Sequence, residues 1–293
     1  MTPSFDERRR ILLEQSMDMF DRCWDERAGM VLMEEDGIRF HSSRDTAFYA
    51  LGLLLRDQPG DPARAFLCIR RVLECQIIAD GEIFDGTFRS MWEQGEPVRG
   101  RLDWRHMDPL TRYHLDVYYQ RLANAFRDRL KQDEALAPMS GDIEARLQAA
   151  LRDVYPVVWQ TYDPNWREFI VSTFQLIFIV AEKRLPAELA ADMERACRRA
   201  IDAAVLRAET AFTPLNTNIR VMHVMICDWF GERWHDDALR RHAVDYAREL
   251  LESYRKHHAV PEFNSPTYNG VVFTFIGFWQ TVCTAPELHT LGA

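Results

Sequence analysis

The residues of this chain that could do chemistry gather in short clusters, most of them just ahead of an apolar run. The densest holds Glu262, Asn264, Ser265, Thr267, Tyr268 and Asn269, directly before Val271. Capping a helix needs only one such side chain. Glu262, Asn264 and Tyr268 are left over as an acid–base and hydrogen-bonding set. A second cluster, Asn216-Thr217-Asn218, offers neutral amides suited to hydroxyls or a carboxylate, and His223 follows four residues before Cys227. A lone histidine on an apolar helix also fits a satisfied core residue, and the sequence leaves both readings open. Asp163, Asn165 and Trp166 form a third group, followed by Glu168, a carboxylate inside an apolar stretch that needs a partner there. The fourth is Trp104-Arg105-His106, flanked by Asp103 and Asp108: an aromatic surface, a guanidinium for an anionic group, and an imidazole able to act as acid or base near neutral pH. Arg44 and Asp45 make a fifth, either a binding pair or an ion pair.

Tyr268, Glu262, His106 and His223 are thus the candidate catalytic residues. Arg44, Asp45, Trp104, Arg105, Asp163, Asn165, Trp166, Asn216, Asn218 and Asn264 are the candidate substrate-binding residues. Patterns that announce other chemistries are missing: no H-E-x-x-H, no C-x-x-C, no G-x-G-x-x-G, no phosphate-binding loop and no G-x-S-x-G elbow. Neither a metal nor a cofactor is expected on that basis. The six cysteines read as reduced thiols.

Two kinds of helix must position these clusters. Asp6 to Asp25, Pro62 to Ala79, Asp142 to Gln160, Ala187 to Ala208 and Asp236 to Lys256 are amphipathic, with apolar residues at three- and four-residue steps and a charged opposite face. Ala47 to Leu55, Trp166 to Ala181, Ile219 to Phe230 and Val271 to Val282 are apolar nearly all round and must be covered on most sides. Capping residues followed by proline open segments at Asp108-Pro109, Asp163-Pro164, Thr213-Pro214 and Ser265-Pro266, at intervals of 55, 50 and 52 residues. Ser42 or Ser43 caps an earlier member. Stacked helical pairs in one continuous domain, 1–293, account for that period. Gly81 to His106 is the one long connection, a segment of the kind that forms lids. If each outer helix returns the chain, successive inner helices run in the same direction and their N-termini share one rim, where free N–H groups favour anions.

Composition narrows the partners. The 293 residues carry a net charge of −9, which argues against a broad nucleic-acid-binding surface, and the most apolar stretch, Phe169 to Ala181, is too short to span a bilayer. No secretory signal is visible behind Met1, so a cytoplasmic protein acting on a small molecule is expected.

Alternating outer and inner helices with polar residues at the inner N-termini resemble the (α/α)-toroid superfamily of six-hairpin glycosidases, toroid lyases, epimerases and terpenoid cyclases. Glu262-Phe263-Asn264-Ser265-Pro266-Thr267-Tyr268-Asn269-Gly270-Val271 resembles an E-[FY]-N-S-P-T-Y-x-G-V signature of largely uncharacterised toroid proteins. Arg44 to Gly52, Asp163-Pro164-Asn165-Trp166 and Thr217-Asn218-Ile219 look like other parts of that pattern. The resemblance implies an all-α barrel and a small-molecule enzyme, foremost a lyase or dehydratase eliminating across a hydroxylated or uronate-like substrate. A glycoside hydrolase using two carboxylates, a cyclase or isomerase of an apolar metabolite, and a non-catalytic helical scaffold are the alternatives. Only about five inner helices can be counted where a closed ring of six is the toroid pattern. The chain is thus an open arc, or a ring completed by a second copy in a homodimer.

Overall fold

The computed structural model describes residues 5–35, 37–82, 84–95, 97, 162–210, 216–260, 262 and 265–292, with scattered positions between 125 and 146. Two compact units result, Met1–Gln94 with Asp163–Ala293, and Gly95–Tyr162. Little of the second is described: a 3-10 turn at Ala137–Met139 and an Arg146–Asp142 ion pair at 3.1 Å. The segment expected around Asp108-Pro109, most of that expected from Asp142 to Gln160, and the candidates Trp104, Arg105 and His106 lie outside the described residues.

In the first unit the described chain runs α1 (Phe5–Cys23), β1 (Trp24–Asp25), β2 (Met30–Glu35), β3 (Ile38–Ser42), α2 (Ser43–Arg56) and α3 (Asp61–Glu74). After the second unit come α4 (Trp166–Ala181), α5 (Ala187–Thr210), α6 (Thr217–Trp234), α7 (Asp237–His257), α8 (Pro266–Thr281) and α9 (Pro286–Leu291). The chain is mostly helical, as expected, but not all-α. β1, β2 and β3 form an antiparallel sheet with Val31 paired to Trp24 on one side and Ser42 on the other. Asp36-Gly37 between two runs of apolar and β-branched residues is a hairpin signal, and Gly37 takes the positive φ of 78° that such a turn requires. The sheet seats on α2, where Val31 N–H donates to Thr46 Oγ1 at 3.0 Å.

Helix boundaries follow local chemistry. Ser42 Oγ accepts from Asp45 N–H at the start of α2, Asp236 accepts from Leu239 N–H at the start of α7, and Ser265 with Pro266 opens α8. Asp163 does not cap a helix directly. It accepts from Asn165 N–H at 2.8 Å, forming a turn that delays the helix to Trp166.

α2, α4, α6 and α8 pack side by side in that order, with α3, α5 and α7 lying against α2, α4 and α6. The contacts fix direction. Near the starts, Trp166 Nε1–H donates to Ser43 Oγ at 2.9 Å; near the ends, Arg184 donates to Leu54 O at 2.7 Å. Glu168 lies by His223, and Phe178 by Trp229 and Phe230, so α4 and α6 are also parallel. Trp279 Nε1–H reaches Val221 O at 2.9 Å and Asp228 accepts from Thr284, which makes α8 parallel to α6 but slid along it. α6 is buried on nearly every side, as its composition demands. α8 departs from the expectation of full cover: only Val272 and Trp279 are buried, and Phe273 is 73% exposed.

The first part of the long connection is inlaid, not a flap. Phe84 and Phe88 are buried, Gln76 bridges to Phe88, and Asp85 O accepts from Arg167 at 2.7 Å. Residues 98–106 lie outside the described set.

Candidate functional site

The parallel packing brings the starts of α2, α4, α6 and α8 to one end of the unit. Arg44, in the first turn of α2, lays its guanidinium 5.1 Å from the Trp166 ring and 5.3 Å from the Phe169 ring. It does not pair with Asp45, which instead accepts from the Ser42 hydroxyl at the helix cap. Among the described residues Arg44 has no carboxylate within ion-pair distance, so its charge is balanced only by aromatic faces and by longer-range attraction to Asp163. Asn165 is held by Arg207, whose guanidinium donates to Asn165 Oδ1 at 3.0 Å. Burial pushes the Asp163 carboxyl above the ordinary aspartate range, against the opposing pull of the Asn165 N–H, Arg207 and Arg44.

At the start of α6, Asn218 N–H donates to Glu262 Oε2 at 2.8 Å, which ties the segment before α8 to the first turn of α6. Thr217 Oγ1 and Asn218 Oδ1 are buried with no hydrogen-bond partner. Asn216 is exposed and makes no side-chain cap. Phe169, Val271 and Phe275 pack against buried Ile219 and Met222 and close the seam between the starts of α4 and α6 and the middle of α8. Tyr268 stands 40% exposed in the first turn of α8. Asn264 lies outside the described residues. Of the candidates, Arg44, Asp163, Asn165 and Trp166 therefore form one contact group, and Asn218 and Glu262 another beside it.

His223 is not on this rim. It is fully buried, and its ring turns toward α7, where Nε2 lies 2.9 Å from His242 Nε2. Cys227 Sγ is 3.5 Å from the same His223 nitrogen. Behind the two rings stand carboxylates: Glu168 Oε1 is 3.6 Å from His223 Nδ1, and Glu209 Oε1 is 3.9 Å from His242 Nδ1. Glu168 is itself completely buried, and neither of its oxygens has a hydrogen bond. Tyr246 stacks on His242 at 5.5 Å. Burial, then the neighbouring His223, pulls the His242 pKa down to about 4, and burial raises the Cys227 thiol well above its ordinary value. A thiol so raised is no nucleophile. His223, Cys227 and His242 are the group whose donor atoms, within 4.8 Å of one another, could hold a metal ion. The spacing of His223 and Cys227 and the need for a partner at Glu168 are visible in the sequence. His242 is easily passed over because it sits among charged residues, yet it lies three residues after Leu239 and four before Tyr246, on the apolar stripe of α7.

An open groove of about 510 Å³ between α3 and α5 is lined by Arg70, Glu74, Asp192, Arg195 and Arg199. Two of its three arginines are engaged with acidic neighbours, Arg195 with Asp192 and Arg199 with Asp85, while Arg70 is exposed, so it is an open, solvated charged cleft.

A family model described as Domain of unknown function (DUF8769) matches residues 10–137 and 141–290, and the chain belongs to that family. No curated protein and no solved structure matches it significantly.

Proposed function

We propose that this DUF8769 protein is a small-molecule enzyme that performs an acid–base elimination on a hydroxylated or uronate-like carboxylate, at the rim formed by the starts of its parallel helices. In this reading the described helices are an arc of an (α/α) toroid working in the cytoplasm, a setting consistent with its six free thiols. The observation that carries the proposal is Arg44: a half-buried guanidinium on two aromatic rings, without a carboxylate partner among the described residues, next to a carboxyl held toward its protonated form. A guanidinium in that state binds a planar carboxylate in a bidentate fork.

The roles follow from the chemistry. Arg44 holds the substrate carboxylate. Glu262, oriented by Asn218 N–H, takes the proton from the carbon beside it. The freed electron pair forms a carbon–carbon double bond as the neighbouring carbon–oxygen bond breaks. Asp163 gives its proton to the departing oxygen, and Asn218 with Thr217 donates to developing negative charge. Tyr268, exposed at the first turn of α8, is the second candidate proton carrier.

The test is a panel of uronates and β-hydroxy acids followed by ultraviolet absorbance of the new conjugated double bond. Arg44→Met is expected to raise KM by roughly 10–100-fold, the equivalent of one charge-assisted contact. If no panel member is consumed, and none raises the melting temperature in a way that needs Arg44, the proposal fails.

A further inference from the structure

Beneath the rim, three donor atoms converge between α4, α6 and α7. His223 and Cys227 are one helical turn apart and share a face of α6, and His242 meets them from the buried stripe of α7. The nitrogen–nitrogen separation is 2.9 Å and the sulfur–nitrogen separation 3.5 Å. Ligands held at about 2.0–2.1 Å (nitrogen) and 2.3 Å (sulfur) around a tetrahedral ion stand roughly 3.3–3.6 Å apart. The third pair, Cys227 Sγ and His242 Nε2, lies within 4.8 Å, so seating an ion would take a turn of the side chains by up to about an ångström.

Tautomers decide between this and ordinary packing. A neutral imidazole has one N–H and one lone pair. If the two Nε2 atoms only hydrogen-bond to each other, the donating ring, when neutral, turns a bare Nδ1 lone pair toward a carboxylate. That is repulsive for His223 against Glu168 and for His242 against Glu209 alike. A cation held by both Nε2 atoms removes the conflict, because both Nδ1–H groups then point at carboxylates. This is the outer-shell arrangement that orients metal-binding histidines. Glu168 supplies the independent observation: a wholly buried carboxyl with no hydrogen bond on either oxygen is an unsatisfied polar group beside His223, which a cation at the cluster would satisfy through the ring.

We infer that His223, Cys227 and His242 form a binding site for one divalent transition-metal ion of the zinc class, with Glu168 and Glu209 orienting the two rings. Two imidazoles and a thiolate select zinc-like ions over magnesium or calcium, and three protein ligands leave a fourth position for water or a ligand atom. The ion ties α7 to α6. Neither Arg44 nor Asp163 supplies a ligand to it.

The experiment is a titration of the metal-free full chain with Co2+, followed by displacement with Zn2+. One equivalent is expected to bind, with intense tetrahedral visible bands and a thiolate-to-cobalt charge-transfer band. Cys227→Ser is expected to lose the charge-transfer band and His242→Ala the tight phase of the titration. Arg44→Met and the double replacement of exposed His257 and His258 by alanine should keep both. Should His242→Ala unfold, the wild-type and Cys227→Ser spectra still decide. No tetrahedral spectrum in the wild type, or the same charge-transfer band in Cys227→Ser, overturns the site and leaves two directly hydrogen-bonded rings beside a buried thiol.

Discussion

His223 on α6 and His242 on α7 meet Nε2 to Nε2 at 2.9 Å, and each has a carboxylate behind its other ring nitrogen. The relationship joins an apolar inner helix to a charged outer one through polar atoms, where packing alone would call for aliphatic side chains. It makes Glu168 the most informative single position.

Glu168→Gln keeps the shape and removes the charge. If Glu168 orients His223 for a metal ion, the substitution should weaken Zn2+ binding about 10–100-fold, measured by competition with a chromophoric chelator. Without a cation in the cluster, the substitution should leave Zn2+ behaviour unchanged.

A second network closes the α1–α2–α3 corner. Arg56 is only 13% exposed and donates to Asp21 at 2.6 Å and to Asp61 at 2.8 Å. Burial is the largest influence and raises both carboxyls, but the hydrogen bonds and charge of Arg56, joined by Tyr49 and Arg64 at Asp21 and by Gln58 N–H at Asp61, together outweigh it and hold both below the ordinary aspartate value. For carboxyls depressed in the folded state, the stabilisation is complete above the unfolded pKa of about 3.9 and is lost as pH falls through the lower folded values. Arg56→Met should cost about 2–4 kcal/mol at neutral pH, and the loss should shrink when urea unfolding is repeated well below pH 4.

The helices were more legible than the site, for physical reasons. A run such as Trp166 to Ala181 announces itself because an apolar helix must be covered, and it is α4 to the residue. Ser42, Asp236 and Ser265 give their helix starts away because a cap is local chemistry. The sheet was missed because β2 and β3 are short and their pairing is a relation between segments, although Asp36-Gly37 carried the turn signal. Arg44 and Asp45 read in sequence as either a binding pair or an ion pair, yet a helix cap claims Asp45 and two rings claim Arg44. His242 could be found only by placing it on the inward stripe of a helix that otherwise reads as solvated.

Gly86 tests whether the connection after α3 is built in or loose. Its φ is +72°, and a Cβ there would stand 2.8 Å from Arg199 O, a backbone atom of α5 that cannot swing aside. Gly86→Ala should therefore destabilise by roughly 2–4 kcal/mol, combining left-handed strain with overpacking. Calorimetry should show a melting point lower by several degrees, and amide exchange should quicken between Gln76 and Ser90. A loose connection would absorb the methyl group with neither change.

The C-terminal end depends on one buried carboxylate. Asp228, inside α6 and fully buried, accepts from Thr284 N–H, the Thr284 hydroxyl and Ala285 N–H, and so anchors the turn between α8 and α9. Asp228→Ala strands these buried donors and should cost about 2–4 kcal/mol, with early protease cleavage after Thr281. Asp228→Asn retains one accepting oxygen and should lose less. Trp279→Phe removes a single bond to Val221 O while keeping most of the ring burial, and about 1 kcal/mol is expected. The order Ala, then Asn, then Trp279→Phe separates anchoring by the carboxylate from simple packing of α8. If Trp279→Phe proved the most damaging of the three, packing would be the main tie.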